Sequence, residues 1–345
     1  MKAKYCVIIG ILIIGFVFNC ATNKDVTETV ISADATDEND EDEPVKIIQD
    51  VNLYEYVPFK KGNKLISLSN NASLRLFENL PTLDGATALY PVYASFVQAV
   101  YPDNIPGSYA TSTYSEFYQG IVKCTQTHRA YENLINGNVD IIFCAEPSRG
   151  QIAQAAEKGL TFNMTPIGKD AFVFFVNTGN PINNITSEQI RGIYSGTITN
   201  WKDIGGGNNV IIPYQRPKDS GSQTILENII MRDTPIMEPL KENVVGGMGG
   251  IIEQVSDYRN YTNAIGYSFL FFSTEMVKNN EIKLLSINGI TPRRETIQSN
   301  EYEFSGTFYA ITTGNETENT KRFIEWILSE EGQYLVEKTG YIPIK

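Results

Sequence analysis

Residues 214–224 read YQRPKDSGSQT and lie between two apolar segments of the chain. The preceding run, Val210–Ile211–Ile212, is short and β-branched, which is typical of a strand. The apolar residues that follow recur at the spacing of one helix face: Ile225, Leu226, Ile229 and Ile230. The segment therefore predicts the end of a strand, a tight turn and the beginning of a helix.

The beginning of this predicted helix carries groups that suit a small oxyanion. Ser220 is a residue type favoured at the N-cap, and Gly221 lets the backbone approach a guest closely. The first amides of a helix have no partner within it, and the helix dipole favours negative charge there. Arg216 adds a planar fork of donors, and Ser222 adds a hydroxyl. The same residues would also fit an ordinary capped helix beside a surface arginine.

Two earlier segments repeat the arrangement of a strand, a turn and a helix that begins with a hydroxyl side chain. Residues 84–88 read DGATA and precede an apolar helical stripe, so Thr87 and Ala88 lie where a helix would begin. A second helix is predicted over residues 125–135, with Thr127 in its first turn. Each of these three predicted helix N-termini is therefore suited to bind an anion.

These residues resemble the phosphate-binding proteins of bacterial ABC importers, which are periplasmic solute-binding proteins with the signature Arg-x-x-x-Ser-Gly-Thr/Ser. Arg216, Ser220, Gly221 and Ser222 stand in that signature. The resemblance covers most of the chain after about residue 80. The order and spacing of further motifs carry it: Asn180-Pro181, Gln189-Ile190-Arg191, Tyr194-Ser195-Gly196, Asn200-Trp201, Ala264-Ile265-Gly266-Tyr267, Glu331-Gly332-Gln333 and Gly340-Tyr341-Ile342-Pro343.

The resemblance implies an α/β fold, the two-lobed form of the type II periplasmic binding proteins. Two doubly wound sheets would be joined by two hinge strands, near residues 169–172 and 266–269, and the lobes would close on the ligand. An apolar stripe also predicts a single C-terminal helix over residues 320–338. The expected lobe boundaries are residues 47–170 plus 268–345 for lobe 1 and residues 171–267 for lobe 2.

The resemblance also implies which residues contact the ligand. Besides the four signature residues, the family places contacts at Thr87, Ala88 and Thr127. Family members commonly have an aspartate at the end of a buried strand, where it accepts a proton from the bound phosphate. This sequence has Ala145 at that position, so the neighbouring Glu146 is the candidate acceptor. The alternative is that Glu146 is a solvated loop residue.

The missing aspartate bears on the choice of ligand. Phosphate carries a proton near neutral pH and sulfate does not, so a buried carboxylate binds the first and repels the second. A second departure from the family is Lys218, where an acid often stands near the signature arginine. The resemblance implies phosphate as the ligand, and the two departures keep sulfate, tungstate and molybdate as alternatives.

The N-terminal segment predicts export. Lys2 and Lys4 precede an apolar run at residues 6–18, which is too short to span a bilayer but fits a signal peptide over residues 1–19. Cys20 follows directly and resembles the lipobox cysteine of bacterial lipoproteins, so we expect it to carry a lipid. An uncleaved anchor and plain secretion are the alternatives.

Acidic residues dominate the next segment. Residues 20–46 contain nine acids against two lysines and no aromatic residue, which predicts a disordered tether. Loss of residues 1–19, with two lysines and no acids, would take the net charge from −12 to −14. Such a chain lacks the basic footprint that nucleic acids require. An anionic ligand is still compatible, because a recessed site depends on local donors more than on net charge.

Cysteine and histidine usage bears on other chemistries. In the family's sheet order, the predicted strands with Cys124 and Cys144 would flank a common neighbour, about 9–10 Å apart and too far for a disulfide. Both are therefore expected to be free buried thiols. His128 is the only histidine and is expected to be structural, since one imidazole makes neither a metal site nor a catalytic triad. We expect no metal site and no cofactor.

The leading hypothesis is high-affinity binding of inorganic phosphate by a monomer that is lipid-anchored outside the inner membrane. The protein would deliver its ligand to the transmembrane subunits of an ABC-type permease, with no covalent step. One rival is a secreted phosphatase, which the absence of an HExxH motif and of a serine–histidine pair argues against. Another rival is a surface sensor or adhesin that retains the fold.

Overall fold

The computed structural model describes residues 51–103, 120–257, 259–260 and 262–344. They belong to one compact unit, Val45–Lys345. The predicted signal peptide, the acidic tether and Cys20 lie outside the described residues. Within the described ranges, no helix has both the length and the apolar character that crossing a bilayer requires.

Strands and helices alternate along most of the described chain. The strands are β1 Leu83–Gly85, β2 Ile141–Cys144, β3 Asn163–Asn177, β4 Asn184–Ile185, β5 Ile212–Pro213, β6 Ala264–Phe269, β7 Ile282–Leu284, β8 Ser286–Ile287 and β9 Ser305–Thr312. The α-helices are α1 Tyr90–Val100, α2 Gln126–Ile135, α3 Arg149–Glu157, α4 Ser187–Tyr194, α5 Gly221–Ile225, α6 Met248–Ser256, α7 Arg294–Gln298, α8 Glu318–Ile327 and α9 Glu330–Thr339. Shorter 3₁₀ segments are Leu53–Tyr56, Thr87–Leu89, Trp201–Ile204 and Lys241–Asn243, and π-helical segments are Leu226–Met231 and Phe272–Val277.

Seven of the described strands form one sheet, in the order β1-β2-β9-β3-β6-β5, with β7 also paired to β3. Parallel pairs lie at both ends of this order, β1 with β2 and β5 with β6. The strands between them, β9 and β3, pair antiparallel with their neighbours. The remaining two strands, β4 and β8, form a small parallel sheet of their own.

The long strand β3 connects the two ends of the sheet. Its first half pairs with β9 as far as Ala171, opposite Ser305, and its second half pairs with β6 from Phe172 onward, opposite Phe269. The change of partner falls within residues 169–172, where the sequence predicts a hinge strand. Strand β7 also pairs with the second half of β3. The lobe boundaries expected from the sequence stay a prediction.

Burial explains why β3 holds the centre of the sheet. From Asp170 to Asn177 every residue of the strand is buried, and a continuous apolar run of this kind is typical of a strand that is covered on both faces. Aromatic side chains fill the space beside it, with Phe172 stacked on Tyr267 at 5.2 Å between ring centroids. This buried run thus forms the second half of a strand that begins at Asn163.

The prediction of a single C-terminal helix is wrong. Helix α8 ends at Ile327, and Ser329 begins α9 as its N-cap, accepting a hydrogen bond from the amide of Gly332. The hydroxyl of Ser329 also donates to the carbonyl of Trp326 at 2.6 Å. A serine that bonds to the backbone in this way competes with the helical hydrogen bonds, which ends one helix and starts the next.

Candidate functional site

Six of the predicted site residues line one cavity of about 70 Å³: Thr87, Thr127, Arg216, Ser220, Gly221 and Ser222. The other lining residues are Val51, Ala86, Gln126, His128, Gly247, Met248, Phe269 and Phe272. Pockets for drug-sized ligands usually measure about 300–1,000 Å³. The cavity is therefore sized for a small ion, and its lining combines hydroxyls, glycine backbone and a guanidinium.

The cavity lies where strands end and helices begin. Thr87 starts the 3₁₀ turn that follows β1, Thr127 lies in the first turn of α2, and Ser220 is the N-cap of α5 after β5. None of these three helical starts has a side-chain hydrogen bond from its own N-cap residue among the described contacts. Their first amides, which have no intrahelical partner, are therefore available to a bound group.

Ser220 has a buried hydroxyl that no described residue satisfies. The Ser220 Oγ atom is enclosed, yet the described part of the chain offers it no hydrogen-bond partner. The sequence correctly placed Ser220 at the N-cap, but the side chain makes no capping bond. Buried polar groups are normally hydrogen-bonded, and an orphaned one needs an explanation. A ligand in the cavity that Ser220 lines is such an explanation.

Gly221 brings two separate parts of the chain into direct contact. A Cβ atom at this position would lie 2.7 Å from Oγ1 of Thr127 and 3.4 Å from its Cβ. Thr127 belongs to α2, on the side of β1, and Gly221 begins α5, which follows β5 at the other end of the sheet order. Only glycine permits this approach. The close approach brings the starts of α2 and α5 to the same cavity.

Arg216 contributes a positive charge that the protein holds in a fixed direction. Its side chain is buried, and Nε donates to the carbonyl of Val245 at 2.9 Å while Nη2 donates to that of Gly246 at 2.7 Å. Nη1 lies 3.4 Å from the Ser222 hydroxyl oxygen. These acceptors carry no formal charge. They orient the guanidinium for a charge-assisted contact in the cavity that it lines.

A buried carboxylate, that of Asp84, fixes the start of α2 relative to the end of β1. Asp84, at 0% exposure, accepts hydrogen bonds from the amides of Gly85 and Thr125, from the Thr125 hydroxyl and from Asn133 Nδ2, at 2.6–2.8 Å. Burial raises the pKa of Asp84, and these hydrogen bonds lower it. Asp84 thereby ties the end of β1 to Thr125, the N-cap of α2, and the first residue of that helix, Gln126, has φ +71°. Sequence reasoning gave Asp84 no role, although an acid in a buried strand just before a glycine turn was a signal.

Comparison with known proteins identifies the architecture. The model of the PBP superfamily domain matches residues 81–331, well over half of the 345-residue chain. This chain belongs to the PBP superfamily. The predicted family resemblance and the predicted fold class are thus confirmed.

Individual relatives agree with this assignment. The chain is 29% identical over 218 residues to the phosphate-binding protein PstS of Borreliella burgdorferi, which covers 61% of this chain and 76% of that protein. It is 26% identical over 209 residues to PstS of Bacillus subtilis, covering 60% of this chain and 64% of the relative, slightly under two thirds. A solved Clostridium perfringens structure, described as a phosphate ABC transporter substrate-binding protein with bound phosphate, matches with TM-score 0.57 and 24% identity. That match covers 77% of this chain and all of the other, and it shows a shared fold.

Two predicted contacts of this PBP superfamily member, Ala88 and Glu146, are not among the residues that line the cavity. Ala88 is buried and its carbonyl accepts a hydrogen bond from the Tyr341 hydroxyl, and it is not among the lining residues. Glu146 also does not line the cavity, and its Oε1 accepts a hydrogen bond from the Tyr309 hydroxyl at 3.2 Å. The described residues that line the cavity include no aspartate and no glutamate.

The remaining candidates have mixed outcomes. Cys124 and Cys144 are buried and free, as predicted, and burial raises the pKa of the Cys124 thiol to about 12. His128, which the sequence predicts to be structural, lines the cavity, with Nε2 3.3 Å from Oε1 of Glu132. Among the described residues, no group of three or more histidine, cysteine or acidic side chains could hold a metal ion.

Proposed function

We propose that this chain binds inorganic phosphate outside the cytoplasmic membrane and delivers it to an ABC-type permease. The observation that carries the proposal is the orphaned hydroxyl of Ser220, which lines the same cavity as the guanidinium of Arg216. A tetrahedral dianion would accept from both groups and from the amides at the helix starts. Binding of this kind needs no covalent step and no cofactor.

The relatives support the choice of phosphate and of the permease partner. Both curated relatives carry the name phosphate-binding protein, and the solved structure is described as part of a phosphate ABC transporter. We extend this to a monomer that is attached to the membrane through a lipid on Cys20, with the acidic segment as its tether. In this view the protein is a carrier and not an enzyme, and an assay for phosphate release from monoesters should give none.

A second ligand class has an observation in its favour. Because the described lining contains no carboxylate, the described residues give the site no ionised acceptor for a phosphate proton. A site with hydroxyls and a guanidinium but no carboxylate favours a fully ionised oxyanion such as sulfate, tungstate or molybdate over a protonated one. Competition between phosphate and these anions at about pH 6 and about pH 8 separates the two, since phosphate loses a proton across this range and sulfate does not.

The substitution Ser220→Ala tests the proposed site. Because the Ser220 hydroxyl has no described partner in the protein, its loss should leave thermal stability unchanged, whereas a cap in use would cost about 1 kcal/mol. A hydrogen bond to a charged group contributes about 1.5–3 kcal/mol, so phosphate affinity should fall by about 10- to 150-fold.

Calorimetric titration and thermal melting measure the two effects. Ser299→Ala is the matched control. Ser299 is the exposed C-cap residue of α7, its hydroxyl lies 3.4 Å from the Thr296 carbonyl, and it does not line the cavity. An unchanged phosphate affinity in Ser220→Ala would show that the hydroxyl does not bind the ligand. Absence of binding by the wild-type protein to all of the named oxyanions would refute the proposed function.

A further inference from the structure

A direct contact joins the loop before α5 to the N-terminus of α3. The Oδ1 atom of Asp219 accepts a hydrogen bond from the Ser148 hydroxyl at 2.6 Å. The Asp219 carbonyl also accepts from Nε2 of Gln151, at 3.3 Å. These partners follow β2 and β5, which are separated in the sheet by β9, β3 and β6. The contact therefore bridges the two sides of the sheet.

The α3 side of this contact is rigid. Ser148 is the N-cap of α3 and forms a capping box, in which its Oγ accepts from the Gln151 amide at 3.0 Å and Oε1 of Gln151 accepts from the Ser148 amide at 2.9 Å. Both residues are nearly fully buried, with 6% and 2% exposure. The capping box thus fixes the orientation of the Ser148 and Gln151 side chains independently of their contact with Asp219. The carboxylate also lies at the N-terminus of a nine-residue helix, where the dipole favours negative charge.

Two backbone features make room for the Asp219 carboxylate. A Cβ atom at Gly150 would lie 3.3 Å from Oδ1 of Asp219, so the glycine permits the close approach. Asp219 itself has φ +64°, in the left-handed region that costs most residues energy but that aspartate and asparagine tolerate. This turn directs the Asp219 side chain to α3, while Ser220, the next residue, lines the cavity.

We propose that Asp219 is a positioning residue for the anion site and that its contact with Ser148 latches the two sides of the cavity together. The effect on phosphate binding rests on the proposed function, whereas the contact between Asp219 and Ser148 does not depend on which ligand the cavity binds. Together with the approach of Gly221 to Thr127, it holds the segment Ser220–Ser222 against the starts of α3 and α2, which both belong to the β1–β2 end of the sheet order. A contact that forms only in the closed arrangement slows ligand release and leaves ligand entry nearly unchanged.

A pair of substitutions separates this role from helix capping. Ser148→Asp keeps a good N-cap residue on α3 but places a second carboxylate against Asp219. Phosphate should then dissociate at least about tenfold faster, with the association rate changed by less than about threefold. Adding Asp219→Asn should restore slow release, because the amide can donate to the introduced carboxylate and asparagine also tolerates positive φ.

Stopped-flow measurement of phosphate release gives the rates. The control is Asp233→Asn, which removes one negative charge at an exposed position of the same region and should release phosphate at the wild-type rate. If phosphate binds and Ser148→Asp releases it at the wild-type rate, the latch is refuted and the proposed function stands. A faster release that the double variant does not restore also refutes the latch.

A measurement without ligand makes the latch testable even if phosphate does not bind. Small-angle X-ray scattering of the ligand-free proteins should give a larger radius of gyration for Ser148→Asp than for the wild type and for the double variant. If the wild type binds no phosphate but this difference appears, the latch is supported and only the proposed ligand fails. If the three radii are equal in that case, the latch is overturned as well.

Discussion

The close approach of Gly221 to Thr127 allows a prediction in which stability and affinity move in opposite directions. In Gly221→Ala the new methyl carbon would lie 2.7 Å from Oγ1 of Thr127 and 3.4 Å from both its Cβ and its Cγ2. A carbon–oxygen distance of 2.7 Å is shorter than van der Waals contact, and Thr127 is β-branched and therefore has little freedom to rotate away. The two helix starts must then move apart for the alanine to fit.

The magnitude follows from packing energetics. Inserting a methyl group into a closely packed site costs about 1–3 kcal/mol, and if this cost arises only when the cavity closes, phosphate affinity falls by about 5- to 150-fold. The backbone of Gly221 does not have positive φ, so alanine brings no conformational strain there. Alanine also favours a helix over glycine by up to about 1 kcal/mol. The melting temperature should therefore stay the same or rise.

Titration calorimetry with phosphate and thermal melting of the same samples measure both quantities. Gly306→Ala is the matched control, since a Cβ atom at Gly306 would meet no described atom closer than 3.9 Å, and it should keep wild-type affinity. Unchanged phosphate affinity in Gly221→Ala would refute the argument that the two helix starts close on the ligand. A parallel loss of stability and affinity would refute it too, because the defect would then be one of folding.

Substitutions at two further positions, Arg216 and Asp170, probe the charge of the site and the hinge. Arg216→Ala should weaken phosphate binding by about 2–5 kcal/mol, because it removes the charged partner of a buried anion. Arg216→Lys keeps the charge but loses the guanidinium that donates to the carbonyls of Val245 and Gly246, so its phosphate affinity should lie between those of the wild type and Arg216→Ala. A calorimetric titration that finds equal affinities for all three proteins would contradict this. Burial raises the pKa of Asp170 from 3.8 to about 7, against hydrogen bonds from the amides of Ala171 and Phe271, so its contribution to stability is present below about pH 4 and is lost as the pH rises through about 7. Asp170→Asn should therefore gain on the wild type in thermal melts from about pH 4.5 to about pH 8.5, by at most about 4 kcal/mol, and a constant difference across that range would show that Asp170 does not titrate there.

Much of the local structure could be predicted from the sequence because its causes are local. Apolar spacing and capping residues determine where α2 begins and ends, and the structure places it at Gln126–Ile135, within one residue of the predicted 125–135. The break between α8 and α9 was missed because the apolar stripe continues across Ser329, and periodicity alone does not register a serine that caps the next helix. The predicted strand that contains Cys124 is reduced, among the described residues, to a single bridge between Val122 and Leu83.

For the site, the sequence by itself determined the chemistry of each helix start. A helix has unpaired first amides wherever it lies, so Thr87, Thr127 and Ser220 could be recognised as anion-binding groups from their own segments. The signature arginine could be recognised in the same way. Tertiary structure alone decided that these starts meet at one cavity, that Glu146 lies away from its lining and that Asp84 and Asp219 hold the segments together. The physical reason is that such contacts join residues tens of positions apart, and a distance across a sheet is set by strand order and packing, which no local pattern of residues records.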